Sequence, residues 1–439
     1  MNLTLGTLAP PEFMSCWRSV PARHQPNWHD RALLRTVTAE LATNLPLVFP
    51  RECDQLKQRL AAVARGEAFL LQGGPCAESF AAPASSVFGT VSILRRMATV
   101  LTYATSLPVV ILGRIAGQYA KPRSTPTETR AGITLPSYLG DAVNEADFDA
   151  VARRPDPRRL LHAYHASLAT LNVVRAATAS AQGASWNASV TDPELLAGEL
   201  DRALPFMSAP GNSSGDGQRQ LFVSHEGLLL DYEAALCRVD PETGKIYATS
   251  GHLLWIGERT RNVDGAHVEF FSRIANPIAV KVGPSASSED LLRLIERLDP
   301  YAEPGRLTFI ARMGAGQIRD TLPRLIARLH GEGFRHTWIC DPMHGNTIIA
   351  PSGHKTRRFS DILDEVTAYF EIHAEFGAHA GGVHVELSGD DVTECVGGPT
   401  GIVFDDVPRR YETLCDPRLN RDQSLDLAFR MGRLAITAC

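Results

Sequence analysis

The sequence predicts an α/β protein folded as a (β/α)8 barrel, and two observations carry that prediction. Short apolar runs recur eight times, each closed by glycine or polar residues, and helical patterns lie between most of them. A barrel of this kind takes roughly 250 residues and expands by insertions, which a chain of 439 residues allows. An open, doubly wound sheet is the structural alternative, because periodicity does not show whether a sheet closes. The eight runs are residues 68–74, 109–114, 221–226, 253–258, 278–283, 307–314, 337–344 and 382–387.

Each run is typical of a strand in a parallel sheet. Runs such as VVILGR (109–114) and IAVKVG (278–283) are too short for a buried helix and are rich in β-branched residues. A strand covered by helices on both faces is apolar along its length rather than alternating, because neither side meets water. The runs therefore predict eight buried parallel strands.

The segments between the runs predict amphipathic helices. Ser287 followed by Asp290 forms a capping box that opens the helix LLRLIERL, and Gly377 closes the helix before the last strand. FSRIA (271–275) is a shorter candidate after the fourth strand. The remaining helical patterns cover 87–106, 159–178, 228–238, 317–330 and 361–376.

The surplus of residues predicts additions to the barrel. Residues 1–66 form an N-terminal extension expected to pack on the barrel, and residues 67–439 form the catalytic barrel with its C-terminal segment. The second connection, 115–220, is long enough for an enlarged loop and helical insertion, and its Gly/Ser/Asn-rich stretch 210–220 predicts an exposed loop.

Composition excludes several classes of function. The chain has 44 Lys and Arg residues against 49 Asp and Glu, a formal net charge of −5, which argues against a nucleic-acid binder. No apolar run approaches the roughly 20 residues of a membrane span, and the N-terminus has no secretory pattern. Eight scattered cysteines without a CxxC pair favour reduced thiols. We therefore expect a cytoplasmic protein without nucleic-acid or membrane partners.

Polar residues gather where the predicted strands end, and barrel enzymes place their chemistry there. Arg114, Arg259, Lys281 and Arg312 form a basic set on separate strands, and Lys281 stands inside the apolar run IAVKVG. A buried cation is costly unless an anion meets it, so this set suits a substrate bearing phosphate and carboxylate groups. Structural ion pairs to neighbouring acids are the alternative. The other strand-end candidates are Cys76, Glu78, His225, Glu226, Glu258, Asp341, His344 and Glu386.

Two further groups are weaker signals. The loop KPRS offers Lys121, Arg123 and Ser124 to a phosphate, although such loops are often only solvated. Cys76, His344, Glu386 and Glu394 could serve a metal, but no ligand spacing such as HExxH or CxxC occurs. His384, alternating with valines in a strand, is expected to be a hydrogen-bonded barrel residue rather than a ligand.

Eight segments together resemble type II 3-deoxy-D-arabino-heptulosonate 7-phosphate (DAHP) synthases of the short form. The resemblance runs in the same order from about residue 68 to 435 and also covers RALPFMSAP (202–210). It implies a (β/α)8 barrel that condenses phosphoenolpyruvate with erythrose 4-phosphate and water, the first step of the shikimate route to aromatic compounds. The segments are FLLQGGPCAESF, GRIAGQYAKPRS, HLLWIGERTR, KVGP, ARMGAGQIRD, DPMHGNT, GGVHVELSGDDVTECVGG and YETLCDPRLNRDQSLDLAF.

The same resemblance assigns the site. It implies one divalent metal, Mn²⁺ or Co²⁺ before Zn²⁺ or Fe²⁺, on Cys76, His344, Glu386 and Asp416. It implies phosphoenolpyruvate on Arg114, Glu258, Arg259, Lys281 and Arg312, with Glu258 orienting the attacking water. It implies the phosphate of erythrose 4-phosphate on Lys121, Arg123, Ser124 and Lys355. The residues it implies in catalysis are Lys281, Arg312, Glu258, Cys76 and His344.

The chain departs from the family pattern in places. Pro75 stands before the cysteine where an acidic residue is expected, and the N-terminal region and residues 185–194 are compact. Longer members build their aromatic amino-acid feedback sites in those regions, so we expect weak or absent inhibition by Trp, Phe or Tyr and a possible place in secondary metabolism. The alternatives are an aminoDAHP synthase of 3-amino-5-hydroxybenzoate biosynthesis and a non-catalytic scaffold barrel. The resemblance also implies a homodimer or homotetramer and, as a partner, a chorismate mutase.

Overall fold

The computed structural model describes residues 6–179 and 220–437, and its centre is a closed barrel of eight parallel strands. Each strand pairs with the next in chain order, and the last pairs with the first from Gly382–Leu70 to Glu386–Gly74. The predicted (β/α)8 barrel is confirmed, and the open sheet is wrong. The strands are β1 (Phe69–Gly74), β2 (Val109–Gly113), β3 (Leu221–Glu226), β4 (Leu253–Ile256), β5 (Ile278–Val282), β6 (Leu307–Ala311), β7 (Thr337–Cys340) and β8 (Gly382–Glu386).

Alternate residues of each strand serve two different cores. Leu70 and Phe222 belong to the cluster that fills the barrel interior, whereas their neighbours Leu71 and Val223 pack outward with the helices. Successive side chains of a strand point to opposite faces, and here both faces are covered. This double burial explains why the strands read as continuous apolar runs.

Helices surround the barrel, and most lie where the sequence predicts them. Ser287 Oγ accepts a hydrogen bond from Asp290 N at 3.1 Å, which confirms the predicted cap of α8. In the described residues the α-helices are α1 (Pro11–Ser15), α2 (Arg31–Thr43), α3 (Pro50–Ala64), α4 (Ala84–Thr105), α5 (Arg158–Ala179), α6 (Leu230–Ala235), α7 (Ala266–Phe271), α8 (Ser288–Leu298), α9 (Ile318–Gly331), α10 (Phe359–Glu375) and α11 (Arg421–Thr437). Short 3-10 helices occupy Cys16–Ser19, His344–Asn346 and Phe404–Arg410.

Two helix predictions are wrong in their placement. The helix after β4 ends at Phe271, where the predicted segment FSRIA begins. The predicted helix 228–238 stops at Ala235. The residues that follow, Cys237–Val239, instead form a strand. This strand pairs with Ile246–Ala248 and Thr7–Leu8 in a small antiparallel sheet. Backbone pairing with a distant segment therefore overrides the helical pattern at the end of that run.

Two loops of the barrel contain β-hairpins that were not predicted from the sequence. Thr127–Arg130 pairs with Ile133–Pro136 after β2, and Thr347–Ile349 pairs with Lys355–Arg357 after β7. Each belongs to a loop that carries predicted site residues. The predicted compact segment 185–194, the motif 202–210 and all but the last residue of the predicted loop 210–220 lie outside the described residues.

The segment before β1 packs tightly on the rest of the chain. From α3, Leu56, Leu60 and Val63 join the apolar cluster of the barrel interior. A Cβ added at Gly381, just before β8, would lie 3.2 Å from Val63, so this helix covers the amino-terminal end of the barrel. The opposite, carboxyl-terminal end is left open for a site. Across residues 6–179 and 220–437, no helix combines the length and apolarity of a membrane span.

His373, on α10, makes the stability of the fold sensitive to acid. Burial lowers the pKa of this histidine from 6.5 to about 4, and its Nδ1 contacts the Tyr369 carbonyl oxygen at 2.8 Å. Because the folded pKa lies below the unfolded one, the neutral ring contributes stability that is complete above pH 6.5 and is lost as the pH falls toward 4.

We expect His373→Leu to reduce this acid-induced loss of the free energy of unfolding by about 3 kcal/mol, since 1 pKa unit corresponds to about 1.4 kcal/mol. Urea unfolding at pH 7 and pH 4 measures the difference. The exposed His29, changed to Asn, is the control. An identical loss in His373→Leu and in wild type would contradict the expectation.

Candidate active site

A cavity of about 280 Å³ opens at the carboxyl ends of the barrel strands. Cys76, Arg114 and Glu386, which do not line it, lie directly beneath and contact one another or Lys121. The structure therefore brings together all the site residues that the resemblance implies, whereas the strand-end candidates Glu78 and His225 do not line the cavity. Those that line the cavity are Lys121, Arg123, Ser124, Glu258, Arg259, Lys281, Arg312, His344, Lys355 and Asp416, joined by Pro122, Glu226, Gly257 and Thr347.

Glu386, the last residue of β8, is the centre of the buried layer. Its Oε1 lies 3.1 Å from His344 Nε2, 3.2 Å from Arg114 Nη2 and 3.4 Å from Lys121 Nζ. Its Oε2 lies 2.8 Å from Arg357 Nη2. Burial by itself would raise the pKa of Glu386, but these surrounding groups hold it well below its usual range. The carboxylate is therefore ionised and joins several segments of the chain.

Lys281 on β5 is held by an acid at the end of β7. Its Nζ donates to Asp341 Oδ2 at 2.8 Å, and Asp341 also contacts His344 Nδ1 at the same distance. Burial lowers the pKa of Lys281, partly offset by Asp341. The pKa of Asp341 is held well below its usual range because His344 and Lys281 outweigh the effect of burial. One carboxylate thus positions a cation of the basic set and the predicted ligand histidine.

Arg114 is fixed by a chain of polar groups that runs through the barrel. Its Nη1 donates to His384 Nε2 at 2.7 Å, and His384 Nδ1 contacts Gln72 Oε1 at 2.8 Å. Its guanidinium also lies over the ring of Trp255, 5.3 Å from the centroid. His384 has partners at both nitrogens, as the sequence predicted for a barrel histidine, and it orients the arginine.

Cys76, Glu386 and Asp416 present donor atoms within 4.8 Å of one another. Lys121 Nζ lies among them, 2.5 Å from Asp416 Oδ2 and in contact with Cys76 Sγ. This donor set therefore attracts a cation, and a thiolate with two carboxylates suits Mn²⁺, Co²⁺, Fe²⁺ or Zn²⁺. His344 is not part of that close group, but its Nε2 reaches Glu386. The residues fit a divalent metal.

The protonation of the two neighbouring cysteines depends on their surroundings. Burial raises the pKa of the Cys76 thiol well above its usual value, and a hydrogen bond with Cys415 raises it further. The same hydrogen bond lowers the pKa of Cys415 to about 7. A nearby cation favours the thiolate form of Cys76, which is the form that binds a metal.

The four residues predicted for the acceptor phosphate all line the cavity. Lys355, in the hairpin after β7, contacts Asp416 Oδ1 at 2.8 Å, and Arg123 lies 3.5 Å from Glu128. Ser124 lines the cavity beside Arg123. These partners are carboxylates, so the cations are placed where they could exchange them for a phosphate.

Glu226, at the end of β3, received no role from the sequence. It is half-buried and lines the cavity, and its inaccessible Oε1 has no hydrogen-bond partner in the described part of the chain. Burial raises the pKa of Glu226, although Lys281 and Lys121 act in the opposite direction. A Cβ at residue 257 would lie 2.1 Å from Glu226 Oε1, so Gly257 leaves the space that this carboxylate needs.

The carboxylate of Glu258 is engaged by the protein. It accepts from Gly283 N at 2.7 Å and from Arg261 Nη2 at 3.1 Å. This pairing braces the loop after Lys281. Glu226 is therefore the more available of the two carboxylates for a bound water.

The geometry of the site and the comparison with known families point to the same class of enzyme. Cations facing a cavity above buried metal-type donors are what a barrel enzyme acting on phosphorylated substrates requires. The model of the Class-II DAHP synthetase family matches residues 12–432, and the chain belongs to that family and is an enzyme.

Its relatives include the phospho-2-dehydro-3-deoxyheptonate aldolase of Streptomyces coelicolor, 56% identical over 98% of this chain and 99% of that one. The aldolase AroG of Mycolicibacterium smegmatis is 47% identical over 94% of this chain and 92% of its own. A crystal structure of the DAHP synthase of Thermotoga maritima is similar at a TM-score of 0.41 and 13% identity, covering 85% of this chain and 70% of that one.

The donor set can be tested with cobalt as a spectroscopic probe. We expect wild type to bind Co²⁺ with the near-ultraviolet absorption of a cobalt–thiolate bond, and Cys76→Ser to lose that absorption together with at least about 100-fold in affinity. Cys53→Ser, another buried cysteine outside the site, is the control and should behave as wild type. Unchanged absorption in Cys76→Ser would place the thiolate ligand elsewhere.

Proposed function

We propose that the chain catalyses the condensation of phosphoenolpyruvate with erythrose 4-phosphate and water, giving DAHP and inorganic phosphate at the start of the shikimate pathway. The proposal rests on one observation above others: two groups of cations face a single cavity whose floor is a set of metal-type donors. Two phosphorylated substrates that meet at one reactive centre require that arrangement. The names of the relatives support it.

Phosphoenolpyruvate is proposed to bind on the basic set. Arg259, Lys281 and Arg312 line the cavity, and Arg114 belongs to the buried layer beneath it. Arg312 donates to the His344 carbonyl oxygen at 3.2 Å, which fixes its guanidinium near the floor. Guanidinium and ammonium groups at fixed positions bind a carboxylate and a phosphate with little loss of side-chain entropy.

Erythrose 4-phosphate is proposed to place its phosphate on Lys121, Arg123, Ser124 and Lys355. Its aldehyde would then point toward Cys76, His344, Glu386 and Asp416, which would hold a divalent ion, Mn²⁺ or Co²⁺ in our proposal. Such an ion supplies Lewis acidity at the aldehyde oxygen. Separate cation groups for the two phosphates keep the substrates in different halves of the cavity.

The proposed reaction forms one C–C bond and breaks one C–O bond. C3 of phosphoenolpyruvate forms a bond to the aldehyde carbon, and a water oxygen adds to C2 and loses a proton. The C2–O bond to phosphate then breaks, and the C2 hydroxyl gives its proton to the departing phosphate, which leaves the ketone of DAHP. Glu226 is placed to hold that water and take its proton, since one of its oxygens has no protein partner and burial favours the protonated acid. Lys281, whose pKa is lowered, is placed to supply a proton to the new alkoxide.

The assay for this function uses the purified chain with both substrates. We expect DAHP formation that EDTA abolishes and Mn²⁺ or Co²⁺ restores, because the donor set beneath the cavity would hold the ion that polarises the aldehyde. Turnover with an aminated erythrose 4-phosphate analogue alone would make the chain an aminoDAHP synthase. Absence of both turnover and metal binding would support a scaffold.

The same assay addresses regulation and assembly. We propose that Trp, Phe and Tyr inhibit weakly or not at all, so a strong drop in rate at modest concentrations of any of them would refute this. Light scattering tests the expected homodimer or homotetramer. Addition of a chorismate mutase tests that partner.

Glu226 gives a sharper test of the proposed chemistry. We expect Glu226→Gln to lower kcat by at least about 100-fold while the KM values change little, because the amide holds water but takes no proton. Glu145→Gln, a variant at an exposed carboxylate far from the cavity, is the control. Full activity in Glu226→Gln would remove Glu226 from the mechanism.

A further inference from the structure

The loop that carries Lys121, Arg123 and Ser124 begins with a buried turn wrapped around a carboxylate. The backbone N–H groups of Ala116, Gly117 and Gln118 all donate to Glu78, at 2.9, 2.9 and 2.8 Å. In return, Glu78 N donates to the Gln118 carbonyl oxygen at 2.8 Å. Glu78 is buried and does not line the cavity, so it contacts the loop rather than a substrate.

This turn needs an anion in order to keep its shape. Ala116 has φ +64°, a left-handed conformation that is costly for a residue with a Cβ. Successive N–H groups in such a turn point into one concavity, where they attract negative charge. Three N–H donors on two carboxylate oxygens leave no unpaired backbone donor in a buried place. Glu78 therefore compensates the strained backbone.

The turn determines where the following residues lie. Gln118 Nε2 donates to the Ala120 carbonyl oxygen at 3.0 Å, and Gln118 Oε1 accepts from Glu226 N at 2.9 Å. Lys121 N donates to the Leu139 carbonyl oxygen at 2.9 Å. Hydrogen bonds therefore fix the chain from the turn to Lys121. Arg123 and Ser124 come directly after this fixed segment.

We propose that Glu78 is the positioning residue for the acceptor: it holds the turn at 116–118 so that Lys121, Arg123 and Ser124 face the phosphate of erythrose 4-phosphate. The proposal rests on the proposed function and extends it to a residue that contacts no substrate. Arg114 precedes the turn and has its own partners in His384 and Glu386, so this phosphoenolpyruvate cation is held without Glu78.

A second buried glutamate accepts hydrogen bonds from other loops at the carboxyl ends of the strands. Glu365 on α10 is equally buried and accepts from Met313 N at 2.9 Å, Gly314 N at 2.8 Å and Asn346 Nδ2 at 2.7 Å. It holds the loops after β6 and β7, which carry Arg312 and His344. Buried Glu365 therefore fixes the loop that carries Arg312, and burial raises its pKa to about 8.

The experiment compares Glu78→Gln, Glu78→Asp and Glu365→Gln in steady-state kinetics with each substrate varied in turn. An amide at residue 78 turns a donor toward at least one backbone N–H, so the turn relaxes. We expect Glu78→Gln to raise KM for erythrose 4-phosphate by at least about 10-fold and to leave KM for phosphoenolpyruvate within about twofold. Glu78→Asp keeps the charge and should recover part of the loss. Glu365→Gln is the comparison outside the turn and should not raise KM for erythrose 4-phosphate selectively.

Further measurements separate this role from a general loss of structure. The Co²⁺ affinity of Glu78→Gln should equal that of wild type, which shows that the neighbouring Cys76 is undisturbed. If Glu78→Gln does not fold, Glu78→Asp carries the same test with a smaller expected rise. An unchanged acceptor KM, or an equal rise in both KM values, would overturn the positioning role. An inactive wild type would instead refute the proposed function on which it rests.

Discussion

The site depends on keeping one carboxylate, Glu386, ionised away from water. Burying an isolated charge is costly, and the cost is offset only when cations and hydrogen bonds surround it. Here the cations come from distant parts of the chain: Arg114 follows β2, Arg357 ends the hairpin after β7, and Lys121 belongs to the loop after β2. Removing any one of them leaves charge unbalanced in the buried layer. The network therefore fixes the loops with respect to the barrel as well as preparing the floor of the cavity.

That layer also explains why the cavity above it favours anions. Glu386, Asp341 and Asp416 neutralise the cations beneath the surface, and each of these acids has a pKa held well below its usual range by the positive groups around it. Arg259 and Arg312 remain on the wall of the cavity. The buried layer therefore holds paired ions, and the cavity above it presents groups that bind anions. A phosphate bound to Lys121 and Lys355 would replace their ion pairs with Asp416.

The sequence predicts the barrel well because each strand is buried on both faces and reads as an apolar run. It predicts less well where distant pairing decides the structure, as at Cys237–Val239, whose partner strands lie elsewhere in the chain. Lys281 is recognisable because a cation inside an apolar run is physically anomalous. Asp416 lies thirty residues beyond β8, so only the resemblance points to it. Arg357 sits in a basic segment that resembles a solvated loop, and nothing local indicates that its side chain is fully buried.

The loops of the site owe their shape to carboxylates rather than to regular secondary structure. Glu394, near the end of the chain, accepts from the backbone N–H groups of Glu412, Thr413 and Arg418 at 3.1, 2.9 and 2.7 Å, and so shapes the segment that presents Asp416. A loop cannot satisfy its own backbone donors as a helix or strand does. A buried carboxylate satisfies several donors at once and leaves little freedom in its orientation. This is how irregular segments at the mouth of a barrel reach the precision that catalysis requires, and it follows that acids which never touch a substrate can be as necessary as those that do.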